Sequence, residues 1–435
     1  MKTYHRLHPL RIITAIVFTV TGVCAANAAP DFSGKSDDSI KQVLQAVARH
    51  QLTELADGDY TPVATMQALN AARPPKGIQW NYALGVTLYG MLRASDFLED
   101  KTYREYVHRH NEIVGRYFNF LSETGKIIGA ENEAWKKFLN NRARSMIGRL
   151  MLLGNLDNSG SMGAAVLEAV SRSPERNTDG QRAVLEQVAG WIVKKQHRLP
   201  DGTFWRPDRT DVDEKWSPGT LWIDDLYMSS PFLARWARYT DDPSHLDDAA
   251  RQIINMAALM QDKDGLWFHG YSVPAKQHSR VKWSRGNGWA ILATVEVLSA
   301  MPDDHPLRGK LLDILRRHID GLKPLQAPSG FWRQTLDKPG SWDETSGTAM
   351  FAYAIARAAN RGWIPADDMA IARKAFAAVC TKITPDGKVN GICEGTKVSL
   401  KVEYYETLKA PDDETRGRGA VLLAGAEILA AGKKK

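Results

Sequence analysis

The stretch that decides the fold is DGTFW at residues 201–205, a tight turn followed by two aromatic residues. It recurs as DGLWF at 264–268, as SGFWR at 329–333 and more weakly as DGKV at 386–389, at spacings of 63, 65 and 57 residues. Each copy follows one segment with helical periodicity and precedes another, and the second segment is rich in small and apolar residues. The repeating unit is therefore a pair of helices joined through an aromatic turn.

The number of these units predicts how the chain closes. About 400 mature residues divided by a repeat of about 63 give roughly six hairpins, which is the number that closes a toroid of paired helices. Hardly any stretch alternates between polar and apolar residues as a strand would. We predict an all-α fold, an (α/α)6 barrel, as a single domain over residues 76–435, preceded by an N-terminal extension and first helix at 29–75. A superhelical solenoid is the alternative.

The first 28 residues are typical of a secretory signal peptide. Basic residues precede an apolar run at 12–26, and residues 26–28 read A-N-A, a small-residue cleavage motif. The run is too short to span a bilayer. A lipoprotein anchor at Cys24 is a weaker alternative, because the residues before it fit a lipobox poorly. We expect an exported protein, periplasmic or secreted, with no membrane segment.

The amino-acid composition and the charge limit the classes of function that we expect for the protein. The chain has 435 residues, of which 43% are hydrophobic and 25% charged, as in an ordinary globular protein. Its net charge of +7 is spread along the sequence rather than gathered in a stripe, so we expect no nucleic-acid partner. Cys380 and Cys393, the only cysteines after the signal peptide, leave both a disulfide and two buried thiols open. The scattered histidines form no ligand cluster, so we expect no metal and no cofactor. We also expect a monomer.

The barrel brings distant helix starts together. All inner helices of such a barrel begin at the same end, so the loops and first turns after each aromatic turn converge on one mouth. Asp224 and Asp225 lie in one of these first turns, in the sequence WIDDLYM at 222–228. Acidic residues there complement the helix dipole, which is their ordinary explanation. Asp157, in the glycine-rich run LDNSGSMG at 156–163, is by itself an ordinary N-cap residue.

Aromatic residues accompany the carboxylates at this mouth. The sequence WSRGNGW at 283–289 combines two tryptophans with an arginine and an asparagine, which a plain loop seldom does. Tryptophan faces stack on sugar rings, and arginine makes forked contacts to carboxylates. Capping of a helix start is enough to explain Glu344 or Ser346. A lone histidine such as His269 more often has a structural role. The candidate substrate contacts are Trp222, Asp225, His269, Trp283, Arg285, Asn287, Trp289, Trp342, Glu344 and Ser346.

Six motifs carry a resemblance to a known family. They are LDNSGSMGA, WIDDLYMSSPFLA, DGLWFHGY, WSRGNGWA, FWRQTLDKPGSWDETSGTAMFAYA and DDETRGRGAVLLAGAE. In this order they resemble the motifs of the unsaturated rhamnogalacturonyl hydrolases of glycoside hydrolase family 105, relatives of the family 88 unsaturated glucuronyl hydrolases. The resemblance covers roughly residues 122–430. It implies an (α/α)6 barrel and a glycosidase whose substrate is a lyase-generated oligosaccharide of pectic rhamnogalacturonan type, ending in a 4,5-unsaturated uronate.

The resemblance also implies a mechanism and residue roles. Such enzymes hydrate the vinyl ether of the end sugar rather than attack its anomeric carbon. By motif match the acid/base is Asp224, the second catalytic aspartate is Asp157, and Trp222, Trp283, Arg285 and His269 match positions around the sugar. A like charge nearby and an apolar surround would raise the pKa of Asp224 and keep it protonated.

Other readings of the same mouth are a sugar epimerase or a polysaccharide lyase on this barrel, and a non-catalytic oligosaccharide-binding protein. Epimerases of this shape use histidines as bases, whereas this mouth is rich in carboxylates. A binding protein would keep the tryptophans and the arginine but would not need a buried pair of acids. The fate of the unsaturated sugar distinguishes these readings.

Overall fold

Twelve helices of twelve residues or more, alternately outer and inner, form the frame of the part of the chain that the computed structural model describes, residues 31–207 and 219–434. The predicted signal peptide lies outside this part of the chain, and so do residues 208–218. In chain order the helices are α1 Asp37–Gln51, α2 Tyr82–Ala94, α3 Thr102–Ile128, α4 Gly160–Arg172, α5 Asp179–Lys194, α6 Asp224–Thr240, α7 Ser244–Met260, α8 Ser284–Ala300, α9 Arg308–Leu322, α10 Thr345–Asn360, α11 Met369–Cys380 and α12 Arg418–Ala430. The even-numbered helices are the inner ones.

Short elements connect these helices. Short α-helices span Met66–Ala71, Glu133–Asn140, Arg142–Ser145, Gly148–Met151 and Val402–Glu406, and 3-10 turns span Leu156–Asn158, Pro174–Arg176, Lys323–Leu325, Ala366–Asp368, Thr415–Gly417 and Ala431–Lys434. The strands are β1 Thr220–Trp222, β2 Gly270–Ser272, β3 Gln277–His278, β4 Trp332–Arg333 and β5 Asp343–Glu344. The first three form an antiparallel sheet in the order β1-β2-β3, in which Trp222 pairs with Gly270, and β4 pairs with β5.

The inner helices form a closed ring. Each packs against the next inner helix, and α12 packs against α2, so the barrel is confirmed over the solenoid. Close approach requires small residues at this closing contact: a Cβ on Gly419 would lie 2.5 Å from the carbonyl carbon of Val86. The inner helices are buried on nearly all sides, which explains their small and apolar composition.

The repeated aromatic turns share one backbone conformation. Gly202, Gly265, Gly330 and Gly387 have φ values of 88°, 87°, 95° and 86°, in the left-handed region that favours glycine. After each turn the chain runs back beside the end of the preceding outer helix, and Phe204 and its counterparts sit in the core. The repeat read from the sequence is therefore a structural repeat.

The predicted start of the barrel at residue 76 is wrong. Helix α1 is the first outer helix: it packs on α12 and α2 and buries Ile40, Val43 and Leu44 in the common core. Ser36 forms a capping box with Ser39 at its start. The repeat could not show this, because the first two hairpins lack the aromatic turn.

The end of the barrel opposite the mouth carries charges of alternating sign. We call this set the floor ring: Arg93, Glu168, Arg235, Glu296, Arg357 and Glu427, one from each inner helix in order. Arg235 contacts Glu168 at 3.0 Å and Glu296 at 2.5 Å. Arg357 contacts Glu427 at 2.7 Å and Glu296 at 4.0 Å, and Arg93 contacts Glu427 at 3.3 Å. Every carboxylate of the floor ring thus faces arginine.

The arginines keep these buried carboxylates ionised. Burial alone raises the pKa of Glu168, but Arg235 and Arg172 outweigh burial and lower it to about 2. The pKa of Glu296 is likewise lowered, because its arginine neighbours and the Tyr353 hydroxyl outweigh its burial. Removing one member would leave its partners as buried, unpaired charges.

The cysteines and the helix lengths test two further predictions. Cys380 and Cys393 are both free and buried, so the disulfide alternative is wrong. None of the described helices combines the length and the apolarity needed to cross a membrane.

Candidate active site

The mouth of the barrel is organised around β1, which leads directly into α6. On one side of β1, Arg206 and Thr220 exchange two backbone hydrogen bonds of 2.8 and 3.0 Å. On the other side β1 pairs with β2, and the carbonyl of His269 accepts from the backbone N–H of Ile223 at 3.1 Å. Arg206 and His269 therefore flank the start of α6, where Asp224 and Asp225 lie.

Asp224 is the aspartate of the pair that faces the opening. Its side chain is 17% exposed, and its Oδ2 lies 3.2 Å from Nε2 of His269. The Nδ1 of His269 lies 2.6 Å from the Tyr405 hydroxyl, which itself accepts from the backbone N–H of Ser399. Burial holds the pKa of Tyr405 well above its ordinary value, so this hydroxyl keeps its proton beside Nδ1. Because an ionised carboxylate only accepts hydrogen bonds, Nε2 of His269 carries a proton and donates to Asp224.

The expectation that the pKa of Asp224 is raised is wrong for the free protein. Burial does raise it, but the hydrogen bond from His269 and the charges of His269, Arg206 and Arg285 outweigh burial, so its pKa lies below the ordinary value. The apolar surround that the sequence suggested is present. The charged neighbours nevertheless decide the direction.

Asp225 faces away from the opening and is 1% exposed. Its two carboxylate oxygens accept from Nε of Arg206 at 2.9 and 3.1 Å, and one of them also accepts from Nη2 at 2.5 Å. The same Nη2 donates to Asp157 at 3.2 Å. The structure therefore contradicts a direct substrate contact for Asp225, whereas Asp157, with a side chain 27% exposed, reaches the mouth.

Aromatic rings line the mouth around these carboxylates. The His269 ring lies 5.7 Å from that of Trp222 and 4.6 Å from that of Trp283, centre to centre. Trp222 also lies under the guanidinium of Arg206, at 4.4 Å. Trp342 is partly buried and packs against the cluster that contains Trp283 and Tyr405. Trp222 and Trp283 thus pack against the histidine that holds Asp224.

Arg285 lies near the mouth, but its guanidinium does not present the pair of free donors that was predicted to bind a carboxylate. Its Nη1 donates to the carbonyl of Cys393 at 2.5 Å, and its Nη2 donates to the carbonyl of Glu394 at 2.7 Å. Its guanidinium carbon lies 4.6 Å from the Trp283 ring. Both terminal nitrogens are therefore engaged within the protein.

Four predicted substrate contacts are fully buried and bond within the protein. Asn287 holds the backbone of Trp267 through its amide, with bonds of 2.8 and 2.9 Å. Glu344 caps α10 by accepting from the backbone N–H of Gly347, and it also accepts from the hydroxyl of Ser346. Trp289 packs against Tyr227 inside the core. These predictions of direct contact are wrong, because each side chain turns towards its own helix or the core.

The sequence contained a signal for one of the two residues, Arg206 and Tyr405, that we did not predict. Arg206 is the sixth residue of the first repeated turn, and His269 holds the sixth position of the second. Because the repeats share one backbone conformation, the arginine could have been placed at the mouth from the histidine. Tyr405 gave no such signal, since it lies in a short helix outside the repeat.

The described residues contain no group of three or more histidine, cysteine, aspartate or glutamate side chains that could hold a metal ion. The chemistry available to the mouth is that of a carboxylate pair, a histidine and buried cations. Such groups transfer protons and stabilise charge.

Comparisons with known proteins extend this picture. An unsaturated 3S-rhamnoglycuronyl hydrolase of Alteromonas sp. (strain LOR) is 29% identical over 216 residues, which are 48% of this chain and 51% of that protein. The match thus spans about half the length of that relative. An unsaturated rhamnogalacturonyl hydrolase of Bacillus subtilis (strain 168) is 27% identical over 250 residues, which are 57% of this chain and 70% of that protein.

A solved structure and a family profile agree on the wider relationship. The crystal structure of a possible member of the GH105 family from Klebsiella pneumoniae has the same fold, with a TM-score of 0.69 at 20% identity over 91% of this chain and 94% of that one. The profile of Glycosyl Hydrolase Family 88 matches residues 63–431. The resemblance carried by the six motifs is confirmed. Because this profile covers most of the sequence, the chain belongs to Glycosyl Hydrolase Family 88.

Proposed function

We propose that the protein removes a terminal 4,5-unsaturated uronic acid from oligosaccharides by hydrating the double bond of that sugar. The observation that carries the proposal is the environment of Asp224. It is a partly exposed carboxylate hydrogen-bonded to His269, whose ring contacts Trp222 and Trp283, in a member of a glycosyl hydrolase family. A proton donor beside aromatic platforms fits a reaction that starts with protonation of a flat, unsaturated ring.

The reaction balances with one water molecule. The π electrons of the double bond take a proton from Asp224 at C4, and the positive charge is shared by C5 and the ring oxygen. Water attacks C5 and gives a proton back to a carboxylate of the mouth. The hemiketal at C5 opens, which leaves a hydroxyl on C1, and that hemiacetal releases the remaining oligosaccharide as an alcohol. The rule that relates carboxylate spacing to stereochemistry does not apply, because the anomeric carbon is not attacked.

Asp224 needs a proton before it can act. In the free protein its pKa lies below the ordinary value. An anionic uronate that binds beside it and displaces water adds like charge and desolvation, and both raise a carboxyl pKa. The substrate itself therefore prepares the acid. Asp157, which reaches the mouth, is suited to orient or deprotonate the water.

For the sugar next to the uronate we propose rhamnose. The names of the Alteromonas and Bacillus relatives both specify a rhamnose-linked unsaturated uronyl group. The two names differ, since one specifies a 3S-rhamnoglycuronyl group and the other a rhamnogalacturonyl group. We favour the pectic rhamnogalacturonan type that the resemblance of the six motifs implied. We further propose that residues 1–28 direct export to the periplasm or the medium, and that the enzyme acts there as a monomer.

The test is ultraviolet absorbance of lyase digests, because only the unsaturated ring carries the conjugated chromophore. We expect the absorbance of an unsaturated rhamnogalacturonan digest to fall when the protein is added, and a sulfated digest to react more slowly. An increase in absorbance would identify a lyase. Unchanged absorbance in both digests would support an epimerase or a binding protein and would contradict the proposal.

A further inference from the structure

Arg206 is buried in the wall of the mouth between two carboxylates. It is 6% exposed, and its Nε and Nη2 hold Asp225 at 2.5 to 3.1 Å. The same Nη2 reaches Asp157 at 3.2 Å. The side chain of Asp225 is 1% exposed, whereas that of Asp157 is 27% exposed. Arg206 is therefore the connection between a buried anchor and a carboxylate that a ligand can touch.

The geometry of this connection is strongly fixed. A guanidinium is planar and presents its donors in a rigid fork, so two bonds to one carboxylate set the direction of the remaining donors. The ring of Trp222 lies 4.4 Å from the guanidinium carbon and holds its plane from one side. Backbone hydrogen bonds between Arg206 and Thr220 fix the start of the side chain. Movement of Arg206 would thus move the Asp157 carboxylate.

The repeat gives Arg206 a counterpart of known position. It is the sixth residue of the first aromatic turn, as His269 is of the second, and both residues lie beside the entrance to α6. His269 holds Asp224, and Arg206 holds the next residue, Asp225. Adjacent residues of a helix point about 100° apart, so the two aspartates are gripped from two directions. Each of the two adjacent aspartates therefore has its own partner.

Arg206 also retains one unused donor. Its Nη1 is buried and has no acceptor among the described residues. A cavity of about 170 Å³ borders Arg206 and Asp225. That volume is enough for several water molecules, so water can accept this bond. The guanidinium therefore stays charged without moving away from its carboxylates.

We infer that Arg206 is a positioning residue, which uses Asp225 as its anchor to hold the Asp157 carboxylate in place for the reaction at Asp224. The inference rests on the proposed function, because the reaction supplies its readout. It assigns Asp225 an indirect role: Asp225 orients Arg206 and does not meet the substrate. A misplacement of about 1 Å at such a group lowers turnover about 10²-fold.

A matched pair of charges elsewhere in the chain provides the control. Arg198 holds Asp248 at 2.7 and 3.0 Å and lies 4.1 Å from the Phe204 ring, so it repeats the fork and the aromatic contact away from the mouth. The test variants are Arg206→Gln with Asp225→Asn, and Arg198→Gln with Asp248→Asn. Each double variant removes one positive and one negative charge, so no buried charge is left unpaired.

We expect the first double variant to lose kcat about 10²-fold, with KM within about threefold of the wild type. The control should keep both constants within about threefold. Adding Asp157→Asn to the first double variant should cause little further loss, because the residues act as one unit, whereas Asp157→Asn alone should lower kcat. Arg206→Lys should remain slow, since an ammonium keeps the charge and loses the fork.

Two results overturn the inference in distinguishable ways. If the wild type consumes the unsaturated substrate and the first double variant keeps its kcat, Arg206 does not position Asp157. Full additivity with Asp157→Asn also excludes this role for Arg206, even if the first double variant is less stable. If the wild type does not consume the double bond, the proposed function fails, and the inference that rests on it fails with it.

Discussion

The two ends of the barrel both bury carboxylates and cations, and they arrange them differently. In the floor ring each inner helix contributes one charge, the signs alternate, and every glutamate faces arginine. At the mouth the charges come from a few segments, and Asp224 stays partly exposed with a histidine as its partner. A series of alternating ion pairs stabilises the toroid, whereas an open set leaves a carboxylate available for proton transfer. The comparison predicts that mouth variants lose rate and floor variants lose stability.

The largest effect is expected for Asp224→Asn. The amide keeps the size of the side chain but cannot give up a proton, so kcat should fall about 10²- to 10⁴-fold. The free energy of unfolding should change little, because the side chain lies at the opening. Steady-state kinetics and denaturant unfolding measure the two quantities. A kcat within tenfold of the wild type would remove Asp224 as the acid.

The opposite result is expected for Glu296→Gln in the floor ring. This change leaves Arg235 and Arg357 without their shared carboxylate, and breaking a buried pair costs about 3–5 kcal/mol of stability. The midpoint of guanidinium unfolding should fall while kcat stays unchanged. Glu133→Gln is the control, because its ion pair with Lys136 is exposed to solvent and contributes little to stability. A lowered kcat with unchanged stability would contradict the division between the two ends.

Low pH should lower the stability of the floor ring by protonating Glu168. Its pKa falls from 4.5 in the unfolded chain to about 2 in the structure, a difference of about 3 kcal/mol. Because the folded pKa is the lower one, this stability is present above pH 4.5 and is lost as pH falls towards 2. Unfolding curves across this range should show the loss, and Glu168→Gln should flatten it. An equally steep loss in that variant would show that other groups cause it.

A smaller effect is expected for Tyr405→Phe. The variant removes the hydroxyl that is hydrogen-bonded to Nδ1 of His269, so the ring that donates to Asp224 loses one of the two bonds that orient it. A net hydrogen bond is worth about 1 kcal/mol, which corresponds to about a fivefold fall in kcat. Tyr404→Phe is the control, since its hydroxyl bonds Thr396 and Lys397 instead. Equal effects of the two changes would remove Tyr405 from the mouth's proton network.

No effect is expected from metal chelation. The described residues offer no cluster of metal ligands at either end of the barrel. Activity before and after treatment with EDTA should be equal. Loss of activity that a divalent ion restores would contradict a reaction based on carboxylates alone.

More of the fold than of the site could be predicted from the sequence. Four glycine turns and their spacing predicted the hairpins, because a left-handed glycine at each turn leaves a repeated signature. The starts of the inner helices lie at one end of the barrel, and the active site there stays a prediction. Direct contacts were predicted wrongly for Asn287 and Glu344, because a polar residue at a helix start can face the opening or bond its own backbone. The sequence shows the residue type and not the rotamer.

The same limit explains the pair of aspartates and the floor ring. The direction of Asp225 depends on Arg206, which lies in another segment, and its partner became visible only in the folded chain. The floor ring joins residues from six helices, each one charge among many in its own helix. No local pattern distinguishes such a residue from a solvated one.

The most direct test of the central claim is to run the reaction in D₂O and follow the sugar by nuclear magnetic resonance. If Asp224 starts the reaction by protonating the double bond, the product should carry one deuterium at C4 in a single configuration. The vinyl signal should then disappear at the rate at which the oligosaccharide is released, and Asp224→Asn should suppress both. Release of a free uronate that still holds its double bond, without deuterium at C4, would show ordinary glycoside hydrolysis and contradict the account.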